Sequence, residues 1–231
     1  RFQFGQDNGL TAKAVLSIEQ FDDNTLWVGT WSGGLLAFDL TRERFSPIDT
    51  RPLGATQANS LFIWDILRDS RNNLWLATEL EGVALFDRAS QQFRFFQHEP
   101  NEPNSLAGNF AWALLEDDEQ NVWMATNAGL NQWRRADDTL HRIAGNATSA
   151  LTSHRLTAVF QDSDGTLWVG SQDNGVFMRP RNEQRFHHLG TADGLPSPAV
   201  YGIAEDPLGY LWLLTNNGLV KLDKKTLQPE V

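Results

Sequence analysis

The chain has 231 residues, 41% of them hydrophobic, with nine Trp, fourteen Phe and no Cys. Its formal net charge is −10, which repels phosphate backbones and anionic lipids, so nucleic acid and membrane surfaces are not expected as partners. The lack of Cys excludes disulfides and zinc–thiolate sites, and no apolar run approaches the roughly 20 residues that a membrane helix needs.

A turn followed by a short apolar run with Trp near its start recurs five times along the chain. The Trp residues follow one another at intervals of 48, 48, 45 and 44 residues: Trp27, Trp75, Trp123, Trp168 and Trp212. Three positions after each Trp stands Thr or Ser, and six or seven positions after it stands Gly. A period in the mid-forties with several strands per unit is typical of a β-propeller. We therefore expect residues 1–231 to form one propeller domain, with blades centred on these Trp residues.

Each unit is predicted to contain four strands, A to D. Strand A is predicted at Val15–Glu19, Ile63–Leu67, Ala111–Leu115, Leu156–Phe160 and Val200–Ala204. Strand B contains the Trp, as in Leu26–Thr30 and Leu211–Thr215. Strand C is predicted at Leu35–Phe38, Val83–Phe86, Leu130–Trp133, Val176–Met178 and Leu219–Leu222, and strand D at Arg44–Ile48, Phe93–Phe96, Leu140–Ile143 and Arg185–Leu189. Turns rich in Asp, Asn and Gly separate the strands, and no long stretch has the helical period of 3.6 residues, so the fold class is all-β with antiparallel blades.

The fifth unit lacks an obvious strand D, because the chain stops at Val231, where that strand is expected to begin. The N-terminal stretch Arg1–Leu10 is similar to Arg185–Leu195, which reads as a strand D and the loop after it. We therefore expect the N-terminal strand to pair with the last strand C and close a ring of five blades without an exposed edge. The alternative is that the five repeats are part of a seven-bladed propeller.

The direction of the strands predicts where a ligand would bind. Antiparallel order places the A–B and C–D turns at one end of every blade and the B–C and D–A loops at the other end. The D–A loops are long and irregular, as in Asp49–Leu61 and His98–Asn109. Because binding residues are usually placed on long loops of a rigid scaffold, the end with the B–C and D–A loops is the predicted functional face.

The candidate ligand-binding residues on this face are Trp31, Asp65, Glu79, Glu81, Asn109, Asn127, His154, Arg155, Asp173, Asn174 and Asn216. Trp31 is the one aromatic residue in the B–C loops, and an exposed Trp beside carboxylates and amides is how proteins hold a sugar. Its alternative role is to pack on the neighbouring blade. Asp65 occupies an inner-strand position where the other units have small residues, so it either makes hydrogen bonds in the channel lining or contacts a ligand.

No catalytic residue, metal site or cofactor is expected from the motifs. The turn Asp162–Gly165 resembles the start of a calcium loop, but its Gly is the fourth residue rather than the sixth, so an ordinary hairpin turn is favoured. His187 and His188 are adjacent on a predicted strand and therefore point to opposite faces. Nucleophile and phosphate-binding motifs are absent.

The stretch His98–Leu130 contains Pro-Asn-Ser-Leu, a strand, an acidic turn, the run Val-Trp-Met-Ala-Thr and then Gly-Leu. In this it resembles the two-component regulator propeller repeat, as do Asp162–Val176 and Ala192–Leu219. The resemblance implies a periplasmic sensor region of a bacterial receptor whose longer chain carries a histidine kinase or diguanylate cyclase. It also implies an oligosaccharide or another small molecule as the ligand, and a homodimer is a further partner to be tested.

Two other functions stay open at this point. A propeller glycoside hydrolase or lyase would use Asp65 with Glu79 or Glu81 as an acid and a base, although a single inner-strand carboxylate is weak support. A protein-interaction propeller would have a broad apolar face instead of a concave polar opening. The leading hypothesis is a non-enzymatic sensor that binds a glycan.

Overall fold

The computed structural model describes residues 8–10, 12–49, 61–143, 151 and 155–230, and in them twenty strands form five antiparallel sheets of four strands each. We call the sheets blades 1 to 5 in chain order. Blade 1 contains β1 Val15–Gln20, β2 Thr25–Thr30, β3 Leu35–Asp39 and β4 Arg44–Pro47. Blade 2 contains β5 Ile63–Arg68, β6 Leu74–Thr78, β7 Val83–Asp87 and β8 Gln92–Phe96. Blade 3 contains β9 Ala111–Glu116, β10 Val122–Thr126, β11 Gly129–Arg134 and β12 Thr139–Ile143. Blade 4 contains β13 Leu156–Gln161, β14 Leu167–Ser171, β15 Val176–Arg179 and β16 His187–Leu189. Blade 5 contains β17 Val200–Glu205, β18 Tyr210–Thr215, β19 Gly218–Asp223 and β20 Pro229–Glu230.

The predicted all-β propeller of five four-stranded antiparallel blades is confirmed. Apart from the strands, a 3₁₀ helix at Thr191–Asp193 lies before blade 5. Within the described ranges, no helix is long and apolar enough to cross a membrane. In every blade the strands follow chain order from the first to the fourth.

The first strands of consecutive blades lie side by side, so these strands line the inside of the propeller. β1 packs beside β5, β5 beside β9, β9 beside β13, and β13 beside β17. In the part of the chain that the structure describes, no comparable packing joins β17 to β1. Blades 1 and 5 are therefore the two end blades of the described array.

The expectation that blade 5 lacks its own fourth strand is wrong. Pro229–Glu230 pairs with β19 as the fourth strand, because a tight turn with Leu227 at a φ of 56° reverses the chain soon after β19. Residues 1–7, most of the strand expected to close the ring, lie outside the described residues. Of the rest of that stretch, Asn8 lies against blade 1, where its carbonyl accepts the backbone N–H of Phe45 at 2.8 Å.

The strand-B Trp residues form the core between blades, as predicted, with one exception. Four of them are at most 5% exposed: Trp27, Trp75, Trp123 and Trp168. Each packs against the following blade, as Trp123 does in a cluster with Phe177 of blade 4. Trp212 is only partly buried, because no described blade follows it, and Leu214 on the same blade is 52% exposed. At the other end of the array, Ile18 of blade 1 is 58% exposed.

In blades 2 to 5 the acidic A–B turn is tied to strand B by the Trp side chain. The indole Nε1 donates to an Asp carboxylate six residues earlier, in the pairs Trp75–Asp69 (3.2 Å), Trp123–Asp117 (2.8 Å), Trp168–Asp162 (2.8 Å) and Trp212–Asp206 (3.0 Å). Asp162 also accepts the backbone N–H groups of Asp164 and Thr166, both at 2.9 Å. The Asp162–Gly165 segment is therefore a hairpin turn whose carboxylate is occupied by the protein itself, as predicted.

The B–C turns are fixed by the hydroxyl and glycine columns that the sequence shows. The Thr78 hydroxyl donates to the carbonyl of Gly82 at 2.9 Å, and Thr or Ser makes the same bond in the other four blades. Gly82 has a φ of 78°, and a Cβ there would lie 2.2 Å from the carbonyl oxygen of Phe96, so only glycine fits. These bonds set the direction of the residue that follows strand B, which in blade 1 is Trp31.

Candidate functional site

Every inner strand carries a β-bulge at the same position near its start. In blade 2, Ile63 pairs with Thr78 and Asp65 pairs with Ala77, so Trp64 is the extra residue between them. The equivalent extra residues in the five blades are Leu16, Trp64, Trp112, Thr157 and Tyr201. A bulge re-aims a side chain and often lies beside a functional site. These residues stand at the end of the blades that carries the B–C loops, and we call this end the mouth.

Five aromatic side chains from blades 1 to 3 contact one another at the mouth, and we call them the aromatic cluster: Trp31, Phe62, Trp64, Phe110 and Trp112. The ring of Trp31 lies 5.2 Å from that of Phe62 and 5.3 Å from that of Trp64, in edge-to-face geometry. Trp64 continues to Phe110 at 5.5 Å and to Trp112 at 4.4 Å, and Phe110 and Trp112 are stacked at 4.6 Å. The cluster therefore forms one continuous aromatic surface across three blades.

The repeat itself explains how the aromatic cluster is assembled. The residue after strand B is held by its backbone, since the N–H of Trp31 donates to the carbonyl of Ala14 and the N–H of Glu79 donates to that of Phe62. The side chain of Trp31 then reaches forward onto Phe62 and Trp64 at the start of the next inner strand. Trp31 is 47% exposed, so it packs on the neighbouring blade and also keeps about half of its surface accessible.

Unpartnered polar atoms are found on the blades that carry the aromatic cluster. Among the described residues, four buried side-chain polar atoms have no hydrogen-bond partner: Ser17 Oγ, Trp64 Nε1, Glu79 Oε2 and Arg142 Nε. The first three lie on the inner strands or the B–C loop of blades 1 and 2. A buried polar atom left unsatisfied costs about 1–3 kcal/mol, so ordered water or the polar groups of a ligand are expected to bond to these three.

Asp65 lies next to Trp64 and bridges two blades. Its Oδ2 accepts the backbone N–H of Leu114 in blade 3 at 2.8 Å. Burial raises the pKa of Asp65 to about 6, opposed by the hydrogen bonds from the N–H groups of Leu114 and Ile66 and assisted by the negative charge of Glu19. The carboxylate whose negative charge helps to raise the pKa of Asp65 is thus Glu19 of β1, a residue that the sequence does not single out.

Repeats of a known family run through blades 2 to 5. The family profile described as two-component regulator propeller matches residues 57–79, 105–128, 150–173 and 194–217. The chain carries two-component regulator propeller repeats. Each match includes strands A and B, and with them the inner-strand bulge and the strand-B Trp. The resemblance seen in the sequence is confirmed.

Solved structures with the same fold support the propeller architecture. The extracellular domain of a hybrid two-component system from B. thetaiotaomicron superposes with a TM-score of 0.82 at 23% identity, over 99% of this chain and 31% of that one. PorZ, a type-IX secretion component of Porphyromonas gingivalis, superposes with a TM-score of 0.63 at 16% identity, over 95% of this chain and 33% of that one. Virginiamycin B lyase of Staphylococcus aureus superposes with a TM-score of 0.65 at 12% identity, over 98% and 70%.

The chain spans about a third of the length of the first two of these structures, and at such identities the likeness shows the fold alone. No curated protein sequence matches the chain with significance. The function is therefore inferred from the residues that this regulator propeller places at its mouth.

Two predicted site residues make structural hydrogen bonds in the regulator propeller. Asn109 accepts the N–H of His98 at 2.6 Å through its side chain and the N–H of Gly82 at 2.9 Å through its carbonyl, which fixes the D–A loop. The Glu81 carboxylate accepts from Gln97 Nε2 at 3.2 Å. Asn127, by contrast, is exposed at the position in blade 3 that Trp31 holds in blade 1.

The other predicted residues that the structure describes lie on blades 4 and 5, beyond the three blades of the aromatic cluster. Arg155 and Asp173 are exposed, and the carbonyl of Arg155 accepts the N–H of Gln172 at 2.9 Å. The backbone N–H of Asn174 donates to Ser171 Oγ at 2.9 Å, and Asn216 is exposed. His154 lies outside the described residues. A ligand role for all of these residues stays a prediction.

Sequence reasoning missed four of the five residues in the aromatic cluster: Phe62, Trp64, Phe110 and Trp112. Inner strands were expected to favour small side chains, and the bulge that turns Trp64 and Trp112 toward the mouth is not visible in the strand pattern. A signal was nevertheless present. Trp64 and Trp112 are 48 residues apart, in phase with the repeat, but outside the strand-B column.

Proposed function

We propose that this regulator propeller is a non-enzymatic sensor module that binds an oligosaccharide at its mouth. The observation that carries the proposal is the aromatic cluster, because five contacting rings with a 47% exposed Trp at one end exceed what core packing requires. Sugar rings have apolar C–H faces that stack on aromatic rings. The unpartnered Nε1 of Trp64, within the aromatic cluster, and Oε2 of Glu79, in the B–C loop of blade 2, supply a donor and an acceptor for hydroxyl groups.

The setting of the module follows from its relatives and is part of the proposal. The similar B. thetaiotaomicron structure is the extracellular domain of a hybrid two-component system, and this chain covers 31% of it. We infer a periplasmic position and a longer chain whose output module is a histidine kinase or a diguanylate cyclase. Ligand binding at the mouth would then be read out by the way in which the propeller packs on its neighbouring modules.

Removing the Trp31 ring is expected to weaken glycan binding at least tenfold, which corresponds to about 1.4 kcal/mol, the upper part of the range for an aromatic contact. The test is isothermal titration of the propeller and its Trp31→Ala variant with a panel of plant and microbial oligosaccharides. Phe95→Ala is the matched control, because Phe95 is an exposed aromatic residue on the outer strand β8. Equal affinities for Trp31→Ala and the unmodified chain would contradict binding at the aromatic cluster.

A second candidate function is glycoside cleavage, and the raised pKa of Asp65, about 6, favours it, because such a carboxyl group can act as an acid near neutral pH. Against it, the Asp65 carboxylate is already bonded to the Leu114 amide. Incubating each glycan that binds with the unmodified chain and with Asp65→Asn distinguishes the two functions. Product release that disappears in Asp65→Asn would establish the hydrolase and overturn the non-enzymatic proposal.

A further inference from the structure

Glu79 occupies in blade 2 the position that Trp31 occupies in blade 1. Both residues follow strand B directly, and both donate their backbone N–H to the start of their own inner strand. A shift of 48 residues takes Trp31 to Glu79 and takes its two ring partners, Phe62 and Trp64, to Phe110 and Trp112. Trp31 covers its pair of rings, so in the next blade a carboxylate stands where an aromatic ring would cover the second pair.

The Glu79 side chain has an unmet need for a donor. Its Oε2 is buried, and among the described residues nothing donates to it. A buried carboxylate oxygen is costly unless it is paired with a cation or with hydrogen-bond donors. In its neighbourhood, the described inner-strand starts and B–C loops of blades 2 and 3 contain Asp65, Glu79 and Glu81 and no Lys or Arg. Among the described residues, these segments of blades 2 and 3 therefore bring no positive charge to Glu79.

An ammonium group suits the aromatic rings, the unpartnered Glu79 oxygen and the absence of a described Lys or Arg at this position. It donates to the Glu79 carboxylate, it is attracted by the faces of aromatic rings, and its charge is balanced by the surrounding carboxylates. A hydroxyl group satisfies the hydrogen bond but makes no use of the charge. A carboxylated or sulfated sugar would place like charges together at short distance and is disfavoured.

We propose that the mouth selects an amine-bearing glycan, whose ammonium group binds between Glu79 and the Phe110–Trp112 pair. The inference rests on the proposed function, because it assigns the chemistry of the ligand at the same site. Stacking on Trp31 provides affinity for the sugar, and Glu79 provides the preference for the positive charge.

The test compares two ligands that differ only at nitrogen, β-1,4-linked glucosamine hexamer and its fully N-acetylated form, at a pH at which the free amine is protonated. Titration is expected to show at least tenfold tighter binding of the amine, with a preference that shrinks as salt is added. Glu79→Gln, which keeps the shape of the side chain, is expected to bring both ligands to similar affinity. Glu119→Gln removes the same charge from the A–B turn at the other end of blade 3 and is expected to leave the preference unchanged.

Each result separates the inference from the function on which it depends. Equal binding of both hexamers by the unmodified chain, with both weakened by Trp31→Ala, would overturn the charge preference and leave glycan sensing intact. The charge preference is likewise overturned if neither hexamer binds while a neutral glycan of the panel does. Failure of every glycan to bind a chain that unfolds cooperatively would overturn the sensor proposal itself.

Discussion

Trp123→Ala is expected to lower the free energy of unfolding by about 4 kcal/mol, whereas Trp212→Ala is expected to lower it by only about 1 kcal/mol. The Trp123 side chain is fully buried against blade 4, with the guanidinium of Arg179 4.8 Å from its ring centre. Trp212 has the same place in the repeat and the same indole-to-Asp bond, but it is only partly buried. The difference therefore measures how much burial against a following blade contributes to the free energy of unfolding.

Urea unfolding of the two variants and the unmodified chain, followed by circular dichroism, checks this prediction. Both substitutions remove the same atoms and the same kind of hydrogen bond, so each serves as the control for the other. Similar losses at the two positions would mean that the outer face of blade 5 is covered in solution. The assignment of blades 1 and 5 as the ends of the array would then be wrong.

Asp65→Asn is expected to stabilise the propeller at pH 8 by up to about 3 kcal/mol and to have little effect at pH 4. The fold raises the pKa of Asp65 from 3.8 to about 6, mainly through burial, so the folded chain favours the protonated carboxyl. Its stabilising contribution is complete below pH 3.8 and is lost as the pH rises through about 6. Asparagine keeps an oxygen for the Leu114 amide but never ionises, so it avoids that loss.

The measurement is the urea midpoint of both proteins from pH 4 to pH 8. Asp39→Asn is a control of opposite sign, because the hydrogen bond from the backbone N–H of Arg42 is the largest of the contributions that lower the pKa of Asp39. That substitution is expected to destabilise the chain across the whole range, because the lowered pKa keeps the Asp39 carboxylate charged in the folded chain down to pH 4. A flat difference between Asp65→Asn and the unmodified chain across this range would contradict the raised pKa of Asp65.

Much of the fold could be predicted from the spacing of one residue type. Because Trp27 to Trp168 each fill the gap between two sheets, their period fixes the number and order of the blades. The bond from the Thr78 hydroxyl to the carbonyl of Gly82 shows why the period is visible in the sequence. Such bonds join residues a few positions apart, and the same residue types recur in every unit. Strand D of blade 5 was missed because Pro229–Glu230 is a strand of two residues without an apolar pattern.

The candidate site was predicted only in part. Trp31 was found because it breaks the pattern of the B–C loops, and the loop position of Glu79 was found with it. Trp64 and Trp112 were not found, since a strand pattern assumes regular alternation and a bulge changes the direction of one side chain without a mark in the sequence. The structural role of Asn109 was not foreseen either, because its side-chain bond to the backbone of His98 joins residues eleven positions apart, and its ligand role stays a prediction.

The sequence by itself determined the repeat, the five four-stranded units in this chain and the end of the blades where loops gather, because these depend on contacts within one unit and its neighbour. Only the tertiary structure decided which side chains meet at the mouth, which Trp is left partly uncovered, and that Asp65 titrates near pH 6. Those properties depend on distances between blades and on burial by atoms far away in the chain. The physical reason is that periodicity records local geometry, whereas desolvation and ring contacts are set by the assembled array.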